Sequence, residues 1–219
     1  MGFIGLLPPI LNVIRKMYCK PCNSNIGEMT EVTIPHTYKL LEKKSKDTAW
    51  INAALKGMKV LSEGNTVTAV TLKPFGPSAG YYSELALMTL TYSMPNDPLS
   101  PPTDTIVKFL PIGFDKRLIL DLVDLPKTEC IMYYHLLRNH SEHELPPLPI
   151  MSPKILYADY CPATNNALMI MEKINFTLGD QKKAPDLDQA KAQMLCLAKV
   201  HAYYWGDKHP MVSLPPSPL

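Results

Sequence analysis

Thr105-Ile106-Val107-Lys108-Phe109-Leu110-Pro111 is a short apolar run with one lysine inside it. Read as a strand, it puts Ile106, Lys108 and Leu110 on one face and Val107 and Phe109 on the other, so the ammonium lies among side chains that favour dry surroundings. A lysine so placed needs a partner, because an unpaired buried ammonium costs several kcal/mol or gives up its proton. The candidate partner is Glu129, in Thr128-Glu129-Cys130-Ile131-Met132-Tyr133-Tyr134-His135-Leu136-Leu137. There Cys130, Tyr133, Tyr134 and Leu137 recur at helical spacing, and Glu129 stands beside that apolar stripe.

A strand lysine fixed by a helical glutamate is also the arrangement with which kinase-type enzymes neutralise the phosphates of ATP. Taken alone, the two residues equally describe an edge lysine and an unrelated helix carboxylate. The flanking sequence separates these readings.

Upstream, Asp47-Thr48-Ala49-Trp50-Ile51-Asn52-Ala53-Ala54-Leu55 reads as a capped helix with Trp50, Ala54 and Met58 turned inward. Val67 to Leu72 is rich in β-branched residues. The turn-like Pro74-Phe75-Gly76-Pro77-Ser78-Ala79-Gly80 follows, and Tyr82 to Tyr92 returns as a second strand. Gly76 and Gly80 would let the backbone approach a phosphate, with the loop amides and Ser78 as donors. A plain hairpin turn uses the same residues.

Downstream, Lys154 to Tyr160 and Ala167 to Met171 read as two more strands around the turn Ala163-Thr164-Asn165-Asn166, and the second of them ends in Glu172-Lys173-Ile174. The expected fold class is α+β, a five-stranded antiparallel sheet with one helix across it. A final helix is capped at Asp186-Leu187-Asp188-Gln189 and runs to Trp205. Leu187, Ala190, Met194, Leu197, Ala198, His201 and Trp205 form its apolar stripe. His201 reads as a hydrogen-bonded core histidine, since no second titratable group accompanies it.

In this order the stretches resemble the aminoglycoside/choline kinase-like phosphotransferases, nearest to the ecdysteroid-kinase-like (CHK kinase-like) branch, over about residues 47 to 211. Beyond those already quoted, the resemblance rests on Ser78-Ala79-Gly80-Tyr81, Met171-Glu172-Lys173-Ile174 and Leu197-Ala198-Lys199-Val200-His201-Ala202-Tyr203-Tyr204-Trp205. It implies a kinase-like small lobe over 46–183 and the first helix of a helical large lobe in 184–219, while residues 1–45 themselves read as a poorly ordered extension. It implies ATP and Mg²⁺ as cofactors and transfer of the γ-phosphate to a small-molecule hydroxyl. Lys108 and Glu129 would position phosphates. Backbone groups of Glu172 and Ile174 would hold adenine, with Met169 and Met171 as the apolar surface beside it.

Lys173 departs from the acidic residue often found at that hinge. A larger departure is the family's catalytic loop, His-Gly-Asp followed by Asn, which has no counterpart in the sequence, nor does a later Asp-Phe-Gly. Leu178-Gly179-Asp180 precedes the large lobe, and Trp205-Gly206-Asp207 lacks the histidine. A lost general base alone costs about 100- to 10,000-fold in rate. These 219 residues by themselves are therefore expected to transfer no phosphate. The alternatives are a non-catalytic nucleotide-binding or protein-interaction module, whose partner would cover the Leu187–Trp205 stripe, and an α+β domain unrelated to kinases.

Composition agrees with a globular chain: 46% of residues are hydrophobic and 19% charged. The net charge is +2 with both signs scattered, so no stripe for nucleic acid is present. Five cysteines form no disulfide framework and suit reduced thiols in a cytoplasmic setting; Cys19-Lys20-Pro21-Cys22 lacks the further ligands of a zinc site. The apolar start is interrupted by Pro8 and Pro9 and is too short for a transmembrane segment.

Overall fold

Residues Thr105 to Phe109 of that run belong to the central strand of a sheet in the computed structural model of the chain. The structure describes residues 10–11, 38–75, 83–110, 114–139, 150, 152–161, 166–175, 183–203 and 205, with the backbone alone for 134–139, 161 and 166.

Five strands, β1 (Val67–Pro74), β2 (Glu84–Tyr92), β3 (Asp104–Phe109), β4 (Ile155–Cys161) and β5 (Asn166–Glu172), make one antiparallel sheet in the order β1-β2-β3-β5-β4. Among the described residues five extended helices are seen: α1 (Tyr38–Lys44), α2 (Ala49–Gly57), α3 (Phe114–Leu122), α4 (Leu125–Asn139) and α5 (Leu187–Tyr203). The mixed α+β class and the five antiparallel strands agree with the sequence reading.

Central position explains the composition of β3. Thr105, Ile106, Val107 and Phe109 are buried and only Lys108 is half-buried, so apolar residues are needed on both faces. From Ala69 the edge strand β1 instead alternates exposed and half-buried positions, and its solvent face carries Ala69, Thr71 and Lys73.

Two compact units are distinguished. The first, Met1–Leu137 with Lys154–Lys173, holds the sheet, α1 to α3 and most of α4; the second, Arg138–Pro153 with Ile174–Leu219, carries α5.

In the first unit α2 buries Trp50, Ile51, Ala54 and Leu55, and Met58 follows them inward, as its spacing predicts. The N-cap residue Thr48 makes no side-chain cap bond, and Asp47 before it accepts a hydrogen bond from the amide of Ala49 at 2.9 Å instead.

Three expectations require correction. The poorly ordered extension over 1–45 does not reach residue 45, because Tyr38–Lys44 is helical and Leu41 is wholly buried. Lys44 also accepts a bond from the Trp50 indole at 3.1 Å. Secondly, two helices rather than one join β3 to β4. Asp124 takes a positive φ of 50° at the corner between α3 and α4. Pro126 then sits in the first turn of α4, where a missing N–H leaves no helical bond unmade. Thirdly, α5 buries none of its residues and His201 is exposed, so it is not a core histidine. The α5 cap itself is as predicted: the Gln189 amide donates to Asp186 Oδ1 at 2.8 Å, and the Asp186 amide donates to Gln189 Oε1 at 3.2 Å.

Candidate functional site

Strand register decides what surrounds Lys108. It stands opposite Leu85 on β2 and Met169 on β5, and facing residues in a ladder share a side of the sheet. Its ammonium is therefore framed by apolar side chains, and α4 brings Glu129 over it. Lys108 Nζ donates to Glu129 Oε1, with the two side chains 24% and 22% exposed.

Cys130 fixes the height of α4. Its thiol is wholly buried and donates to the Asp159 carbonyl on β4 at 3.1 Å. Burial, followed by the charges of Asp159 and Glu129, pushes the Cys130 thiol far above the ordinary thiol range. It stays protonated and remains a donor. One turn on, burial and then Glu129, by charge and by hydrogen bond, push the Tyr133 hydroxyl up to about 12. The expected stripe is thus present at Cys130 and Tyr133; the side chains of Tyr134 and Leu137 lie outside the described residues.

A cavity of about 210 Å³ opens beside the ion pair. Ser83, Lys108 and Glu129 supply its polar end, and Phe109, Leu110, Leu120, Leu125, Pro126 and Met169 supply its apolar walls. All nine belong to the first unit. Sites for drug-sized ligands run from about 300 Å³ upward, so this cavity has room for a single ring and not for a whole nucleotide.

The predicted residues divide into three groups. Lys108 and Glu129 meet. Gly76, Ser78 and Gly80 lie outside the described residues. At the end of β5, Met171 stands opposite Ile106 and is half-buried, whereas Met169, two residues earlier, lines the cavity. The Glu172 amide donates to the Lys154 carbonyl at 2.8 Å, and a Glu172 carboxylate oxygen accepts from the Lys154 amide at 3.2 Å. That N–H is therefore committed to the sheet and is not free for a base. Ile174 begins the last stretch of the second unit.

Among the described residues no group of three or more His, Cys, Asp or Glu is placed to hold a metal. The magnesium implied by the resemblance has no ligand set there, and no step is assigned to it.

Sequence reasoning did not find Asp159, which is 1% exposed on β4. Tyr157 Oη donates to its Oδ2 and the Tyr160 amide to its Oδ1, both at 2.8 Å. Burial outweighs these two bonds and raises its pKa to about 6. The signal was legible: a carboxylate inside Ile155-Leu156-Tyr157-Ala158-Asp159-Tyr160 breaks an apolar strand just as Lys108 does. No protein-family model, curated protein or solved structure matches the chain.

Proposed function

We propose that the first unit is a nucleotide-binding small lobe of the kinase type, allied to the aminoglycoside/choline kinase-like phosphotransferases, with ATP as its ligand. The observation that carries this reading is the ion pair between the third strand's Lys108 and the helical Glu129. In protein kinases a lysine on the third strand and a glutamate on the following helix pair in this way to hold ATP phosphates. Lys108 would contact a phosphate oxygen, and Glu129 would hold its ammonium in place.

The reading assigns binding to these residues and not phosphoryl transfer, because the sequence contains no His-Gly-Asp triplet to supply a general base. A second reading, a non-catalytic nucleotide-binding module, draws support from the lack of a metal-ligand cluster among the described residues.

Calorimetric titration of the 219-residue chain with ATP, with and without Mg²⁺, tests the proposal. Saturable binding is expected, weakened about tenfold or more by Lys108→Met, since hydrogen bonds to charged groups contribute about 1.5–3 kcal/mol. A folded chain that takes up no ATP would refute the nucleotide reading. Binding indifferent to Lys108→Met would refute the assigned site.

A further inference from the structure

We propose that the cavity beside Lys108 and Glu129 binds a compact, uncharged molecule with an apolar body of about one ring and a single hydroxyl, phenol being its simplest form. This occupant differs from the phosphate that the nucleotide reading puts at Lys108, and the inference does not depend on that reading.

Size sets the first limit. A dry apolar cavity of about 150 Å³ takes benzene. The volume here, about 210 Å³, suits a ring with one or two substituents. The walls set the second. Leu110, Leu120, Leu125, Pro126 and Met169 offer no polar side-chain group, so the ligand body must be apolar.

Charge sets the third. At the polar end the ammonium and carboxylate already cancel one another. An anion would meet Glu129 and a cation Lys108, each next to walls that cannot solvate it. A hydroxyl suits both partners, because it accepts from an N–H that the ion pair leaves over and donates to a free lone pair on the carboxylate. A plain hydrocarbon would fill the space while covering these groups without replacing their water.

The test is calorimetric titration of the full chain with phenol, toluene and benzoate. Phenol is expected to saturate at one per chain and to bind about tenfold or more tightly than toluene or benzoate, as hydrogen bonds to charged groups require. Leu125→Trp fills the cavity from a side chain that is 43% exposed, and should weaken phenol by a similar factor while leaving the thermal midpoint in place. Three results would overturn the proposal: no saturable phenol binding, toluene or benzoate matching phenol, or a folded Leu125→Trp chain binding phenol like the parent. Should that variant not fold, methyl NMR of the parent chain decides. Phenol must shift Leu120 and Met169, and shifts confined to other methyls would overturn the site.

Discussion

Asp159 and Lys108 are each a charged side chain set into an apolar strand, and the difference between them is what stands opposite. Lys108 has a counter-ion in Glu129; the hydrogen bonds at the Asp159 carboxylate come from a tyrosine hydroxyl and a backbone amide. Hydrogen bonds hold a carboxylate in place, but here they do not offset its desolvation, and the pKa rises to about 6. An unfolded chain releases that proton near pH 4. Below pH 4 the group is protonated in both states and does not affect stability. As pH rises from 4 through 6 the unfolded state gives up the proton first, so the folded state loses stability, by at most about 3 kcal/mol. Asp159→Asn removes this loss while an amide can still bond to Tyr157 and Tyr160. In urea titrations the variant should match its parent near pH 4 and exceed it by about 1–3 kcal/mol at pH 7; equal stability at pH 7 would contradict the assignment. Lys108 and Glu129 could be picked out from the sequence because each falls at a position that periodicity marks as apolar or next to apolar. The consequence at Asp159 could not, because its cost depends on what lies across from it.

Helices and strands here are joined by polar side chains that pattern reading passes over. Asn52 on α2 donates to the Val67 carbonyl at 2.8 Å and accepts from the Val67 amide at 2.7 Å, completing the backbone pairing of β1 at the edge of the sheet. A strand edge left bare is a site of fraying and mispairing, so this amide acts as a short surrogate strand. Asn52→Ala strips two buried backbone groups of their partners and should cost about 2–4 kcal/mol in chemical denaturation, whereas an exposed threonine such as Thr71 changed to Ala should cost well under 1. A loss below 1 kcal/mol for Asn52→Ala would show that water replaces it. At the same open end of the β1–β2 hairpin, Asn65 is wholly buried. Its amide donates to Ser100 Oγ at 2.7 Å, and its carbonyl oxygen accepts from the amides of Thr66 and Met94. These clamps join residues far apart in sequence, and an asparagine that makes them looks no different from one in a loop. The apolar faces of α2 and the strands were legible, since their period repeats along the chain. The corner between α3 and α4 was not. It depends on Asp124 adopting a positive φ, which few residues other than glycine favour.

At the scale of the molecule the order β1-β2-β3-β5-β4 places β3 innermost, with pairing on both sides and with Val107 and Phe109 wholly buried. Hydrogen exchange should therefore be slowest at the central amides of β3 and its neighbours β2 and β5. It should be faster at the outer edges of β1 and β4, and fastest in α5, which buries no side chain. Exchange in α5 as slow as in β3 would contradict that ranking. Among the described residues no helix is long and apolar enough to cross a membrane.

What the sequence determined by itself is whatever repeats along it or cannot be avoided locally: the five strands, the helix at Trp50, the cap of α5 at Asp186 and Gln189, and the need of Lys108 for a counter-ion. Periodicity and capping act between residues a few positions apart, so they are written in order along the chain. Tertiary structure alone decided that Glu129 reaches Lys108 across 21 positions of sequence, that a cavity of about 210 Å³ opens beside them, and that Asp159 lies buried with a tyrosine hydroxyl and a backbone amide as donors. Each follows from strand order and helix placement, which set distances between residues whose separation along the chain carries no such information.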